Sequence, residues 1–159
     1  TINGKAQKEA REYRAGNVKY EAGDRKAEFE LDLHDAYPKE ASVKFWRRSI
    51  TLNRGKDVVL RDRYELDEAR FPVSMTLMSW RRPSLSASGT ILLETPEEIA
   101  DSRPVSIRYD HRTFLVDIEE IPIEDARLRS SWGERIYRIR LTAKEAVLRD
   151  ALTLRIEQR

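Results

Sequence analysis

Alternation of apolar and polar residues with a period of two runs through most of this chain, and it is sharpest in VKFWRRSITLNRGKDVVLRDRYEL, Val43 to Leu66. Successive residues of a strand point to opposite faces of a sheet, so this pattern specifies half-buried strands. If Arg54-Gly55-Lys56 is the loop of an antiparallel hairpin, Asn53 pairs with Asp57, Leu52 with Val58, Ile50 with Leu60 and Trp46 with Tyr64. In that register Arg48, which falls in the apolar set of its strand, lies opposite Asp62, which falls in the apolar set of the other. A slip of one residue would turn one apolar set outward, so the pairing is well specified. The two misplaced charges then form an ion pair inside a scaffold, or else one of them faces a cleft and touches a ligand.

The same period recurs elsewhere. In KAEFELDLH, Ala27, Phe29, Leu31 and Leu33 share one face, with Glu28, Glu30, Asp32 and His34 on the other. NVKYEAGDRKAEF reads as two strands joined around Gly23-Asp24, and VSIRYDHRTFLVDIEEI alternates on both sides of a tight turn at DHR. PVSMTLMSW, GTILLE and ERIYRIRLT are further strands, the last with Tyr137, Ile139 and Leu141 on one face and arginines on the other. HDAYPKEAS can hold a single helical turn. Residues 145–157 are good helix formers, but Leu148, Leu152, Leu154 and Ile156 share one parity, and a strand is expected there. SWRRPSLSASG is the longest linker. About ten antiparallel strands in one domain, residues 1–159, imply an all-β sandwich.

Composition narrows the function. Thirty basic residues against 28 acidic ones leave a net charge of +2, unlike the strong basic excess of a dedicated nucleic-acid binder. Without cysteine there is no disulfide framework and no thiolate metal site. No apolar run approaches the ~20 residues of a membrane-spanning helix. The chain begins at Thr1 and enters a turn-like Asn3-Gly4 almost at once, as expected of a piece cut from something longer.

No catalytic residue and no metal ligand is assigned. His34 and His111 are far apart and read as solvent-facing. Glu97-Glu98 and Glu119-Glu120 are sequence neighbours, which on a strand point to opposite faces and cannot act together as acid and base. The binding signal lies in FWRR and SWRR, where arginine forks suit carboxylate or sulfate and an indole face can stack on a sugar ring. Trp80, Arg81, Arg82 and Arg47 are therefore candidate contacts for an acidic glycan. Trp46 has core parity. Trp132-Gly133 has a structural role at a chain reversal, where glycine tolerates positive φ and tryptophan can cap the core.

The series INGKAQ, then AYPKEASVKFWRRSITLNRGKDVVLRDRYEL, then GTILLE, then SWGERIYRIRLT resembles the C-terminal β-sandwich of heparinase II/III-like polysaccharide lyases, from Ile2 to about Thr142. The resemblance implies part of a lyase supersandwich whose parent cleaves uronic-acid-containing polysaccharide by β-elimination. It implies catalytic tyrosine and histidine, and a structural zinc in some members, in an α-helical toroid and the first β-region, outside this segment. No cofactor is expected in this chain, and its partners would be that toroid and β-region of the same polypeptide. It also implies a periplasmic or secreted parent and a domain inactive by itself. An independent module for acidic glycans, or a purely structural sandwich, are the alternatives.

Overall fold

The computed structural model describes residues 1–95 and 103–158; the Glu97-Glu98 pair lies outside them. Among the described residues eleven strands form two antiparallel sheets: β1 (Gly16–Ala22), β2 (Lys26–Asp32), β3 (Val43–Asn53), β4 (Asp57–Leu66), β5 (Ser74–Ser79), β6 (Pro83–Leu85), β7 (Thr90–Leu93), β8 (Val105–Tyr109), β9 (Phe114–Pro122), β10 (Arg135–Ala143) and β11 (Arg149–Gln158). The larger sheet has the order β1-β2-β3-β4-β11-β8-β7-β6 and the smaller one β5-β10-β9. Their facing sides enclose Trp46, Tyr64, Met75, Ile91, Ile107, Phe114, Ile139, Leu141, Leu152 and Leu154. The expected all-β sandwich is what the chain forms.

The β3–β4 hairpin has the register read from the sequence: Asn53 faces Asp57, Leu52 Val58, Ile50 Leu60, Arg48 Asp62 and Trp46 Tyr64. Gly55 turns the loop at φ 72°. The Trp46 and Tyr64 rings stack at 4.9 Å, the offset aromatic packing that a directly opposed pair can reach. β11 is a strand, as its parity required, although Leu148 precedes it and is exposed. Two 3-10 turns, His34–Ala36 and Lys39–Ala41, occupy the segment expected to hold one turn.

Four expectations are corrected. The segment taken as a linker contains β6, which pairs with β7 through Ser84 and Leu92. The DHR turn is present, with Asp110 O accepting from the Thr113 and Phe114 amides, but it joins β8 of one sheet to β9 of the other and is not a hairpin. His34 is not on a strand face, because β2 ends at Asp32 and His34 opens a helical turn. An unanticipated helix α1 (Ala126–Trp132) is started by Asp125, whose carboxylate accepts from the Arg127 and Leu128 amides at 2.8 and 3.1 Å. This N-cap satisfies donors that the first turn leaves orphaned. Because α1 buries no residue, Trp132 is about half exposed and does not cap the core. Gly133 ends the helix at φ 82°, ψ −167°, the positive φ expected of it and a region open only to glycine.

Candidate functional site

The two charges that fall in apolar sets meet on the inner face of the larger sheet. Arg48 Nε and Nη2 both donate to the Asp62 carboxylate at 2.7 Å, a bidentate fork. Asp62 is fully buried and the Arg48 side chain is 29% exposed. Both carboxylate oxygens are engaged by the fork, and donating these hydrogen bonds to Asp62 raises the pKa of Arg48. The pair satisfies itself, as a scaffold ion pair does.

On the opposite face Arg47 makes a second fork, to Asp32 at 2.8 and 3.1 Å, and Asn17 Nδ2 donates to the same carboxylate at 2.7 Å. Asp32, on the polar face of its strand, is buried under these partners. The Arg47 hydrogen bond, helped by Asn17 and opposed by burial, holds its carboxyl below the usual carboxylate range. Arg47 thus spends its fork within the protein.

The other three sequence candidates sit together just past β5. Trp80 is 41% exposed and the Arg81 guanidinium lies 5.5 Å from its ring centroid. Ser79 Oγ accepts from the Arg81 amide at 3.1 Å and donates to the Arg81 carbonyl at 2.8 Å, fixing the bend. Arg81 also donates to the Arg103 carbonyl at 3.0 Å, and Arg82 points outward. Trp80 and Arg82 therefore reach solvent, while Arg81 props the indole.

The hairpin register also carries a cluster of arginines that residue type alone does not reveal. It sets Arg47 opposite Arg63 and Ser49 opposite Arg61, and β11 brings Arg149 opposite Glu65. Arg61, Arg63 and Arg149 are all exposed on the outer face, and among the described residues none of them makes a salt bridge, although the charge of Arg149 helps to lower the pKa of Glu65. Lys44 takes the nearby Glu65 at 2.6 Å. Like charges side by side on a sheet repel, so this cluster would be relieved by an anion. The signal was available in the numbering, since the register that pairs Arg48 with Asp62 also stacks these arginines.

Acid–base candidates do not converge. Burial pushes the Tyr64 hydroxyl up to about 12, and Asp150 adds to the shift; burial raises Tyr37 as well. His34 lies 3.2 Å from Asp35 in an open groove of about 600 Å³, lined also by Tyr13, Arg14, Tyr37 and Lys39. His111 is exposed in the DHR turn. Glu119 and Glu120 are ion-paired to Arg138 and Arg135 at 2.8 and 2.6 Å. Among the described residues no group of three or more His, Asp or Glu side chains is placed to hold a metal ion.

No protein-family model matches the sequence, and no curated protein matches it. The fold does have solved counterparts. It is similar to a mutant of the heparan sulfate lyase HepC from Pedobacter heparinus, with a TM-score of 0.63 at 12% identity, covering 91% of this chain and 22% of that one. A second structure of the same lyase gives a TM-score of 0.59, again at 12% identity and the same coverage. The likeness is one of fold, and it meets the lyase resemblance read from the sequence motifs. The chain spans 22% of the length of the lyases it matches.

Proposed function

We propose that this chain is the C-terminal β-sandwich region of a heparinase II/III-like polysaccharide lyase, that it has no lyase activity alone, and that it supports the catalytic part of the same polypeptide. The observation that carries this reading is the fold match over 91% of the chain to a lyase more than four times longer, set beside the motif resemblance. Elimination next to a uronate carboxylate needs a base at the C5 proton and an acid at the leaving oxygen, each within hydrogen-bond reach of one sugar. Tyr64 is buried with a hydroxyl at about 12, and His34 and His111 sit in separate turns. The polymeric substrate would be met in the periplasm or outside the cell.

The purified chain, incubated with heparan sulfate, heparin and alginate, is expected to release no unsaturated product. Turnover that disappears in His34→Ala, His111→Ala or Tyr37→Phe would overturn the reading.

The exposed arginines favour a second reading, an independent module for acidic glycans. Arg61, Arg63 and Arg149 on the outer face, and Trp80 with Arg82 past β5, are free to meet sulfate or carboxylate. Titration with heparin at low salt separates the readings. Binding that weakens steeply as salt is added, and that falls in Arg61→Ala/Arg63→Ala, marks a module. Absence of binding leaves the supporting role.

A further inference from the structure

We infer that the edge of β5 and the apolar face of β1 to β4 beside it, neither of them covered among the described residues, form a docking seam for one further extended strand, supplied by polypeptide joined to the Thr1 amino group. This rests on the reading of the chain as one region of a longer lyase. Three observations on different parts of the molecule lead to it.

The first is the hydrogen-bonding pattern of β5. Its inner neighbour is β10, with Thr76 opposite Arg140 and Met78 opposite Arg138. On the other edge Thr1 and Ser74 exchange both backbone bonds: Thr1 N donates to Ser74 O at 2.7 Å and Ser74 N donates to Thr1 O at 2.9 Å. In an antiparallel ladder the outward-bonding residues recur every second position. The N–H and C=O of Thr76 and Met78 therefore also point to the open edge. An exchanged pair sets direction as well, and a chain entering at Thr1 would run antiparallel along Met78 and Thr76. Such an edge is a ready template for strand addition.

The second is the apolar surface next to that edge. One cross-strand row reads Tyr20, Phe29, Ile50, Leu60, Leu154, every neighbour directly opposed. Leu154 is fully buried under the smaller sheet, Ile50 and Leu60 are half-buried, Phe29 is 37% exposed and Tyr20 67%. The row continues without a polar interruption to the point where its cover stops. Val18 and Leu52, on the same face, are also exposed.

The third is the setting of the Thr1 nitrogen itself. Burial, then Arg140 and Arg48, lower its pKa, which places both guanidinium groups near it. Arg48 is on β3, which puts the entry point of the strand beside the uncovered face.

The occupant is thus an alternating strand with its apolar side on Phe29, Ile50 and Leu77. Hydrogen exchange on this chain and on the full polypeptide of its gene tests the inference. The Thr76 and Met78 amides are expected to exchange freely in the chain alone and about tenfold or more slowly in the full polypeptide. Thr76→Pro deletes an outward donor and no bond to β10, a placement edge strands tolerate. It should leave the melting temperature of the chain unchanged and open the junction before Thr1 of the full polypeptide to protease about tenfold faster. Equal exchange in both proteins, a full polypeptide with no strand on this edge, or a junction indifferent to Thr76→Pro overturns the seam. Protection that rises with concentration in the chain alone also overturns it, because the occupant is then a second copy. Lyase activity of the full polypeptide is read separately: activity with an unprotected edge sinks the seam alone, and a protected edge without activity on any polyuronate sinks the lyase reading alone.

Discussion

The two halves of the larger sheet are built from the same pattern and end in different states. A single row crosses all eight strands: Ala22, Ala27, Leu52, Val58, Ile156, Ile107, Ile91 and Leu85, each opposite the next. In its β8–β7 part, beneath the smaller sheet, Ile107 and Ile91 are 3% and 0% exposed; on β3 Leu52 is 37% exposed. All three are large aliphatic residues on one face of one sheet. What differs is the three-stranded cover, which is too narrow to reach across eight strands. Alternation selects the face of a strand, and the topology decides whether that face is dry.

The largest effect is expected at the boundary between the halves. Asp62 stands opposite Leu152, fully covered, while Arg48 stands opposite half-buried Leu31. Asp62→Ala should leave a guanidinium with too little water and destabilise the chain by about 3–5 kcal/mol, nearer the lower figure because Arg48 is 29% exposed. Arg48→Met with Asp62→Leu should recover most of the loss, since a well-packed apolar pair can replace a buried ion pair. Urea unfolding of both variants measures it. A cost below about 1 kcal/mol, typical of a solvated pair, would mean that the boundary is wet.

The next effect grades the row itself. Leu154→Ala should cost about 2–5 kcal/mol, because a covered site leaves a cavity. Tyr20→Ala, at the far end of the same row, should stay within about 0.5 kcal/mol as surface changes do, with Phe29→Ala between them. Equal costs for Leu154 and Tyr20 would show that something covers β1 in solution.

The hairpin was legible because every constraint on it is local: the loop is three residues long, and one register alone aligns the apolar set and the two charges. Parity likewise identified β10 and β11. Pairings between distant segments were not legible. The DHR turn looks like a hairpin turn because its flanks alternate, yet Phe114 joins β10 opposite Ala143 while Tyr109 pairs with Leu154. Only the competition among all strands for partners decides that. Helix α1 carries a weak signal, a single Asp125 cap and no buried face, and the exposure of Trp132 follows from it. Among candidate contacts, residue type suggested Arg47 and Arg81, but their actual partners, Asp32 and the Arg103 carbonyl, come from other parts of the chain.

A smaller effect tests the rim of the cover, where α1 returns to β10. An added Cβ at Gly133 meets no atom within 4 Å, so any penalty there is backbone strain alone. Gly133→Ala and Gly133→Val should cost about the same, roughly 1–3 kcal/mol at this φ and ψ. A valine much worse than alanine would point to a steric cause, which the open space around Gly133 does not provide.

The smallest effect compares the two arginine forks across the thickness of the sheet. Asp62 faces the core and Asp32 faces the outside, where Arg47 is 38% exposed and salt can screen the pair. Asp32 has its folded pKa lowered from 3.8, first by the Arg47 hydrogen bond. A depressed carboxylate stabilises the fold above its unfolded pKa, and that contribution is lost as pH falls through the lower folded value. The stability difference between the parent chain and Asp32→Asn should therefore be constant from neutral pH down to about 5. It should shrink below about 4 as the unfolded chain first takes up its proton and the folded chain follows. Added salt should narrow the same difference at neutral pH, whereas the loss in Asp62→Ala should hardly respond to it. Unfolding titrations of the two variants between pH 7 and 2, at low and high salt, check both statements. A difference for Asp32→Asn that grows as pH falls would reverse the sign of the linkage and remove Arg47 as its cause. A salt response as large in Asp62→Ala as in Asp32→Asn would erase the distinction between the covered face and the open one.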